Sequence, residues 1–231
     1  MGIYALAGAA GAVAFLAWAV RGRSSSVFAP SVWRGPADRR ELALTFDDGP
    51  SVATLELIRV LGAYDARATF FFCGANVRRL PKAARAVADA GHEIGNHSDT
   101  HPLLCFRSAA FMEAELRRAQ ETIAAHTGQT PRWFRPPYGV RWPGLRTAQS
   151  RLGLKGAMWT AIGRDWSLPP EAIARRILKA ARAGAILCLH DGRELASQPD
   201  ATATLEAVRL FLPPLARSGY RFVTLSEMFR S

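Results

Sequence analysis

The chain reads as an α/β protein whose strands run largely parallel in one sheet, open or closed into a barrel. Three observations predict it. Beyond residue 40, short apolar runs of strand length alternate with Ala-, Arg- and Leu-rich stretches of helical period. Gly91, Gly128, Gly184 and Gly219 close four of the helical stretches, where a left-handed cap is needed. Polar residues with chemistry to offer recur at the C-terminal ends of the predicted strands, the rim on which successive βα units build their sites. A chain of 231 residues is long enough for one sizeable core, and a single main domain is expected.

Taken in order, the first element stands apart. The run IYALAGAAGAVAFLAWAV, Ile3 to Val20, carries no charge, and as a helix it would reach about 27 Å, enough to cross a hydrocarbon core. Residues 1–21 therefore read as a hydrophobic helix serving as a membrane anchor. A cleaved signal segment is the alternative, since AWA at Ala17 to Ala19 resembles a processing site, although no basic stretch precedes the apolar run. An anchored domain facing the cell envelope is the expected location. Its sidedness stays open, because Arg21, Arg23, Arg34, Arg39 and Arg40 follow the span, and a positive-inside count would hold the domain in the cytoplasm. Residues 22–40, with GRSSS and scattered Pro, read as a linker.

The domain proper is expected over residues 41–231. LALTF, ATFFFC, HEIGNH, RWFRPP, KGAMWTAI, AILCLH and RFVTL are the candidate strands. Between them, PKAARAVADAG, SAAFMEAELRRAQETIAAHTG, PEAIARRILKAARAG and DATATLEAVRLFLPPLARSG carry the helical period. No internal repeat or low-complexity tract interrupts this alternation.

Composition narrows the partners. Lys and Arg total 30 against 19 Asp and Glu, a net charge of +11, which favours anionic surfaces or polymers in general. The excess is thinly spread and almost all Arg, with no dense basic run interleaved with aromatics, so nucleic acid is not an expected partner. No obligate protein partner is evident either. Cys73, Cys105 and Cys188 are far apart and form no CxxC pair, which argues for small apolar fillers over a metal finger or disulfide framework.

The chemistry concentrates in ELALTFDDGP, residues 41 to 50, where an apolar strand ends in two adjacent carboxylates, Asp47 and Asp48. Like charges side by side near a core repel unless a cation or a shared proton relieves them. The segment HSDTH supplies two histidines, His97 and His101, at a four-residue spacing that a helical turn would bring to one side of a metal ion. Asp48 is the natural third ligand, leaving positions open for water and substrate, and Asp47 can then act beside the cation as a general base. The same residues have plainer uses: DDGP is good turn chemistry, and histidines can cap a helix. Arg135, Asp165 and His190 join the rim from later strands, and the recurrence favours a site over scatter.

TFDDGP, HSDTH, FRPPYG, RDW and LCLHDG, in that order and spacing, resemble the five motifs of the polysaccharide deacetylase family, the NodB-like carbohydrate esterases. The resemblance runs from about residue 42 to the end. It implies a distorted (β/α) barrel of about seven parallel strands and a divalent metal, zinc by first choice with cobalt or another divalent ion as alternatives. It also implies hydrolytic removal of acetyl groups from N-acetylglucosamine units. By position, Asp47 matches the catalytic base and Asp48, His97 and His101 the metal ligands. Arg135 matches the residue that holds the base, and the backbone N–H of Tyr138 an oxyanion donor, with its side chain free to pack. Asp165 matches the acid that tunes the catalytic histidine, Trp166 a groove wall under a sugar ring, and His190 the general acid for the leaving amine.

Two positions depart from the family pattern. Ile162 stands where another Asp is usual, and Cys188 replaces the Leu that lines the acetyl-methyl pocket, which leaves the acyl group less defined. Ser98 is expected to fix the histidine loop by hydrogen bonding. His92 and His126 are assigned structural roles, and Trp133, Trp142 and Trp159 are assigned to packing. The expected function is metal-dependent N-deacetylation of an N-acetylated glycan such as peptidoglycan or a chitin-like polymer. The alternatives are deacylation or deformylation of a lipid-linked sugar at the membrane, and a catalytically silent glycan-binding module.

Overall fold

The structure, a computed structural model, describes the backbone of residues 2–230 and the side chains of residues 8–230. Nine strands form one sheet: β1 (Ser31–Val32), β2 (Glu41–Gly49), β3 (Ala68–Phe72), β4 (Glu93–Asn96), β5 (Trp133–Phe134), β6 (Lys155–Ala157), β7 (Ala161–Ile162), β8 (Ala185–His190) and β9 (Arg221–Phe222). Their order is β1-β6-β5-β4-β3-β2-β8-β7, with β9 also on β2, and every pair is parallel. The helices are α1 (Gly2–Arg21), α2 (Thr54–Gly62), α3 (Gly74–Arg79), α4 (Pro81–Asp89), α5 (Ala109–Thr127), α6 (Leu145–Arg151), α7 (Pro170–Ala180), α8 (Thr202–Arg217) and α9 (Leu225–Met228). Gly91, Gly128, Gly184 and Gly219 all take positive φ, between 76° and 78°, as helix-ending glycines should.

Strand β2 is buried along its whole length, which is why its apolar residues form a run and not an alternation. The period of two still sorts its faces. Leu42, Leu44 and Phe46 join Phe70, Phe72, Leu187 and Leu189 in a core against Leu57, Ile173, Ile177 and Phe211 of the surrounding helices. Ala43 shares the opposite, inner face with Phe71, Trp133, Ala157 and Ile186. Thr45 and Asp47 continue that inner row, so the sheet's own register carries Asp47 into the barrel interior.

The ring closes through a few bonds and not through a full strand pair. Met158 N–H donates to Val32 O, Thr160 N–H to Ile186 O and Gly35 N–H to Gly184 O, each at 2.7 Å, and Arg34 bridges Ala185. The seven expected strands become nine for two reasons. KGAMWTAI divides into β6 and β7 because Met158 and Thr160 are spent on these closing bonds. The stretch 22–40, read as a linker, contributes β1 and the closing residues to the sheet.

The N-terminal expectation changes too. Among the described residues no helix is long and apolar enough to cross a membrane. The side chains of Ile3 to Ala7, part of the expected span, lie outside the described residues. What the structure does show is a docked helix end: Ala19 and Val20 are buried, and the Arg141 guanidinium donates to the carbonyls of Gly22 and Ser25. Val13, Phe15, Leu16 and Trp18 remain exposed on the helix before it.

Candidate active site

The two adjacent carboxylates are separated by a break in the strand. Register shifts between Asp47 and Gly49, and Asp48 takes φ 70°, so the side chains leave the backbone toward different partners. Asp47 meets Arg135, which is fully buried at the end of β5. Arg135 Nη1 donates to Asp47 Oδ1 and to Thr45 Oγ1, both at 2.7 Å. Its Nε and Nη2 donate to the carbonyls of Ala157 at 3.2 Å and Met158 at 2.9 Å. The guanidinium also lies 4.3 Å from the Phe71 ring centre, so four hydrogen bonds and a stacked face fix it. The second oxygen of Asp47 accepts the Cys188 thiol at 3.4 Å. Burial pushes that thiol well up, and the neighbouring Asp47 adds to the shift, which keeps the proton on sulfur.

Asp48 faces the histidines. Its Oδ1 lies 3.3 Å from His97 Nε2 and 3.1 Å from His101 Nε2, while Oδ2 accepts the Glu194 N–H at 2.8 Å. His97 Nδ1 is 2.7 Å from the Arg135 carbonyl, which can only accept, so Nδ1 carries a proton and Nε2 is the ring nitrogen aimed at Asp48. Asp48 Oδ1 is buried and has no hydrogen-bond partner. Two imidazole nitrogens converging on an orphaned carboxylate oxygen form a donor set that a divalent cation satisfies, with the ring oriented by a carbonyl behind it. Burial alone would raise the Asp48 carboxyl, but His101 and His97 hold it well below the usual carboxylate range.

HSDTH is not a helical turn. Ser98 and His101 take φ of 67° and 53°, and a loop with two left-handed residues brings the rings together. Its bonds are those expected of Ser98: the hydroxyl accepts the His101 N–H at 3.1 Å, while Asn96 Oδ1 accepts the Ser98 N–H at 2.8 Å. Thr100 is tied by N–H and hydroxyl to Glu115 of α5, at 2.8 and 3.0 Å.

Across the cavity, His190 ends β8 directly opposite Asp47 in the parallel ladder. Its Nδ1–H donates to Asp165 Oδ1 at 2.9 Å and its backbone N–H to Asp165 Oδ2 at 2.6 Å, while Thr204 donates to Oδ2 at 2.8 Å. Burial lowers the imidazole's proton affinity, but Asp165, with Asp47 and Asp48 farther off, overrides it and pushes His190 up to about 9. Asp165 is held below its ordinary value: burial opposes this, and His190 and Thr204 prevail. Trp166 stands edge-on to His190, ring centres 5.2 Å apart.

Asp47, Asp48, His97, His101, Asp165 and His190 all line one cavity of about 640 Å³, with Tyr138, Trp159 and Trp166 as aromatic walls. Three expectations need correction. Trp159 is a wall of this cavity, not a packing residue. Tyr138, at φ 57°, does not pack its side chain away: the ring meets His101 at 4.7 Å and the hydroxyl donates to Glu194 at 2.9 Å. Cys188 is not among the cavity walls but lies behind Asp47, because its place on β8 points inward beneath the floor. The structural reading of His92 holds, since its Nδ1 accepts the Ala68 N–H at 3.2 Å and burial, aided by Arg67, lowers it to about 4.

Sequence reasoning missed Glu194, Thr204, Asn76 and Asp191. Asn76 donates to the Asp48 carbonyl at 2.7 Å and to the Glu194 carbonyl at 2.8 Å, fastening the loop after β8 to the turn that bears Asp48. Asp191 is buried, accepts the Thr54 hydroxyl at 2.5 Å, and is pushed up to about 7 by burial and by Asp48 and Asp47. Only Asp191 carried a sequence signal, as the residue after His190 in LCLHDG. Asn76 sits in α3, Thr204 in the first turn of α8 and Glu194 in the loop after β8, and none of the three carries a pattern to read.

A parallel barrel with a His–His–Asp donor set, an arginine-held carboxylate beside it and an aspartate-held imidazole opposite carries the groups of a hydrolase. The chain belongs to the polysaccharide deacetylase family, whose model matches residues 34–157. It is 34% identical over 202 residues to a peptidoglycan-N-acetylglucosamine deacetylase of Bacillus cereus, covering 86% of this chain and 92% of that one. It is 35% identical over 198 residues to a chitooligosaccharide deacetylase of Bradyrhizobium sp., covering 82% and 90%. Among solved structures, a CE4 family pseudoenzyme from Bacillus anthracis superposes with a TM-score of 0.79 at 26% identity, over 88% of this chain and 70% of that one.

Proposed function

We propose that this protein hydrolyses the N-acetyl groups of an N-acetylglucosamine-containing glycan, peptidoglycan or chitin-like, releasing acetate and leaving a free amine. One observation carries the reading: the base, the cation cradle and the imidazole line a single cavity from different strand ends. A fold shared with a pseudoenzyme does not by itself imply activity. The retention of both carboxylates, both ligand histidines and the Asp165–His190 pair favours an active enzyme over a silent glycan-binding module.

Asp48, His97 and His101 would hold a divalent ion. Zinc is the first choice for two imidazoles and a carboxylate, and when bound it supplies Lewis-acid polarisation and a lowered water pKa. The chain's own residues do the rest. Asp47, oriented through Oδ1 by Arg135, takes the proton of the attacking water as general base. Tyr138 lines the cavity, and its backbone N–H is assigned as donor to the developing oxyanion. His190, kept protonated by Asp165, donates its Nε2 proton to the leaving nitrogen as the carbon–nitrogen bond breaks. Trp166, about half exposed beside His190, offers a flat face to a sugar ring.

The test is acetate release from chitooligosaccharides and from peptidoglycan by the full chain, chelated and then reloaded with zinc, beside Asp47→Asn. Zinc-restored release that the variant lacks is the expected result, and the better substrate decides between the glycans. A folded, zinc-loaded protein that releases acetate from neither would overturn the reading.

A further inference from the structure

The β2–β8 ladder assembles a second ligand set beneath the first. In the parallel register Asp47 pairs with His190 and Thr45 with Cys188, and Cys188, two residues before His190, shares its face of β8. One oxygen, sulfur or nitrogen atom from each of Asp47, Cys188 and His190 lies within 4.8 Å of the other two. Each group also has its remaining valence spoken for. Arg135 occupies Asp47 Oδ1, leaving Oδ2 toward the sulfur, and Asp165 occupies His190 Nδ1, so Nε2 is the ring nitrogen that can ligate once it gives up its proton.

We propose that Asp47 Oδ2, Cys188 Sγ and His190 Nε2 form a soft-metal site, distinct from the Asp48–His97–His101 cradle, that takes thiophilic divalent ions such as excess zinc or cadmium. The spacing fits. Bonds of about 2.3 Å to sulfur and about 2.0 Å to oxygen at a tetrahedral angle put the two ligand atoms about 3.5 Å apart. Cys188 Sγ and Asp47 Oδ2 are 3.4 Å apart. The ion takes the place of the thiol hydrogen between them. The thiol proton and the Nε2 proton of the His190 imidazolium both pass to solvent as the metal–sulfur and metal–nitrogen bonds form, so two protons are released per ion bound. Entry is from the catalytic cavity, which Asp47 and His190 line. With thiolate, imidazole and carboxylate together, the site prefers softer ions than the all-nitrogen-and-oxygen cradle does. Occupation ties up the base and the acid at once, so the same ion that loads the cradle inhibits in excess.

The experiment titrates cadmium into the zinc-loaded full chain and follows the ultraviolet thiolate-to-metal charge-transfer band together with bound metal per chain. The proteins are the wild type, Cys188→Val, Cys188→Ser and Cys105→Ser, the last removing the most accessible cysteine. The expected result is one additional cadmium per chain carrying the band in wild type and in Cys105→Ser, with the band absent from both Cys188 variants. The inhibitory zinc concentration, compared with each variant's own uninhibited rate, should rise at least about tenfold in Cys188→Val. A band that survives in either folded Cys188 variant, or no band in wild type, would overturn the proposal. Binding is read without turnover, so a failure here is distinguishable from a failure of the deacetylase reading.

Discussion

Replacing Asp165 with Asn removes a charge while keeping the size of the group that holds His190. In the wild type that carboxylate accepts from both Nδ1 and the backbone N–H of His190, and it is the largest of the influences raising the imidazole to about 9. Without it, burial pulls His190 back to its ordinary value of about 6.5 or lower, a drop of about 2.5 units, or about 3 kcal/mol of lost preference for the imidazolium. The sign is fixed by the role: a general acid must carry its proton, so activity is lost on the alkaline side. With those values the protonated fraction falls about 4-fold at pH 7 and about 30-fold at pH 8, and hardly changes at pH 6. The assay is the pH profile of kcat/KM for acetate release, wild type against Asp165→Asn, both loaded with zinc. A deficit that grows with pH supports the assignment. An equal deficit at pH 6 and pH 8 would refute the reasoning, since Asp165 would then only position the ring.

Other perturbations have equally definite outcomes. His101→Ala removes one of three ligands and should weaken zinc binding at least about a hundredfold by equilibrium dialysis, while the fold persists by circular dichroism. Arg135→Leu leaves Asp47 buried without its cation and should cost about 3–5 kcal/mol in denaturant unfolding, most of it recovered when Asp47→Leu is added. Asp191 is raised in the folded state to about 7 from about 3.9, so it contributes stability below about pH 4 that is lost as pH rises through 7. Asp191→Asn in the metal-free protein should therefore flatten that decline in Tm, by up to the equivalent of about 4 kcal/mol. A parallel decline in variant and wild type would show that other groups cause it.

Much of this was legible because burial and chirality leave marks in sequence. The strands of the β2–β3–β8 centre read as apolar runs since both faces are covered, and helix ends read as glycine since a left-handed residue is needed there. Asp47, Asp48, His97, His101 and His190 stood out because each follows such a run. Less legible were features made by few residues. β1 and β7 contain two residues each, too short for any period to register, and the ring is closed by backbone bonds that any side chain permits. The histidine loop was misread as helical because a four-residue spacing does not reveal the positive φ of Ser98 and His101. Glu194 acts on Asp48 through its backbone N–H, which leaves no trace in residue type.

One consequence follows from Asp47 and Asp48 sharing a peptide unit. The two side chains diverge at the strand break, yet a single rigid plane joins their backbones, so one cannot move far without the other. If a divalent ion is held by Asp48, His97 and His101, a larger one would press on Asp48 and, through that shared plane, on Asp47 against Arg135. Ionic size would then act as a mechanical adjustment of Asp47, and turnover across a series of divalent ions should follow fit as closely as it follows Lewis acidity.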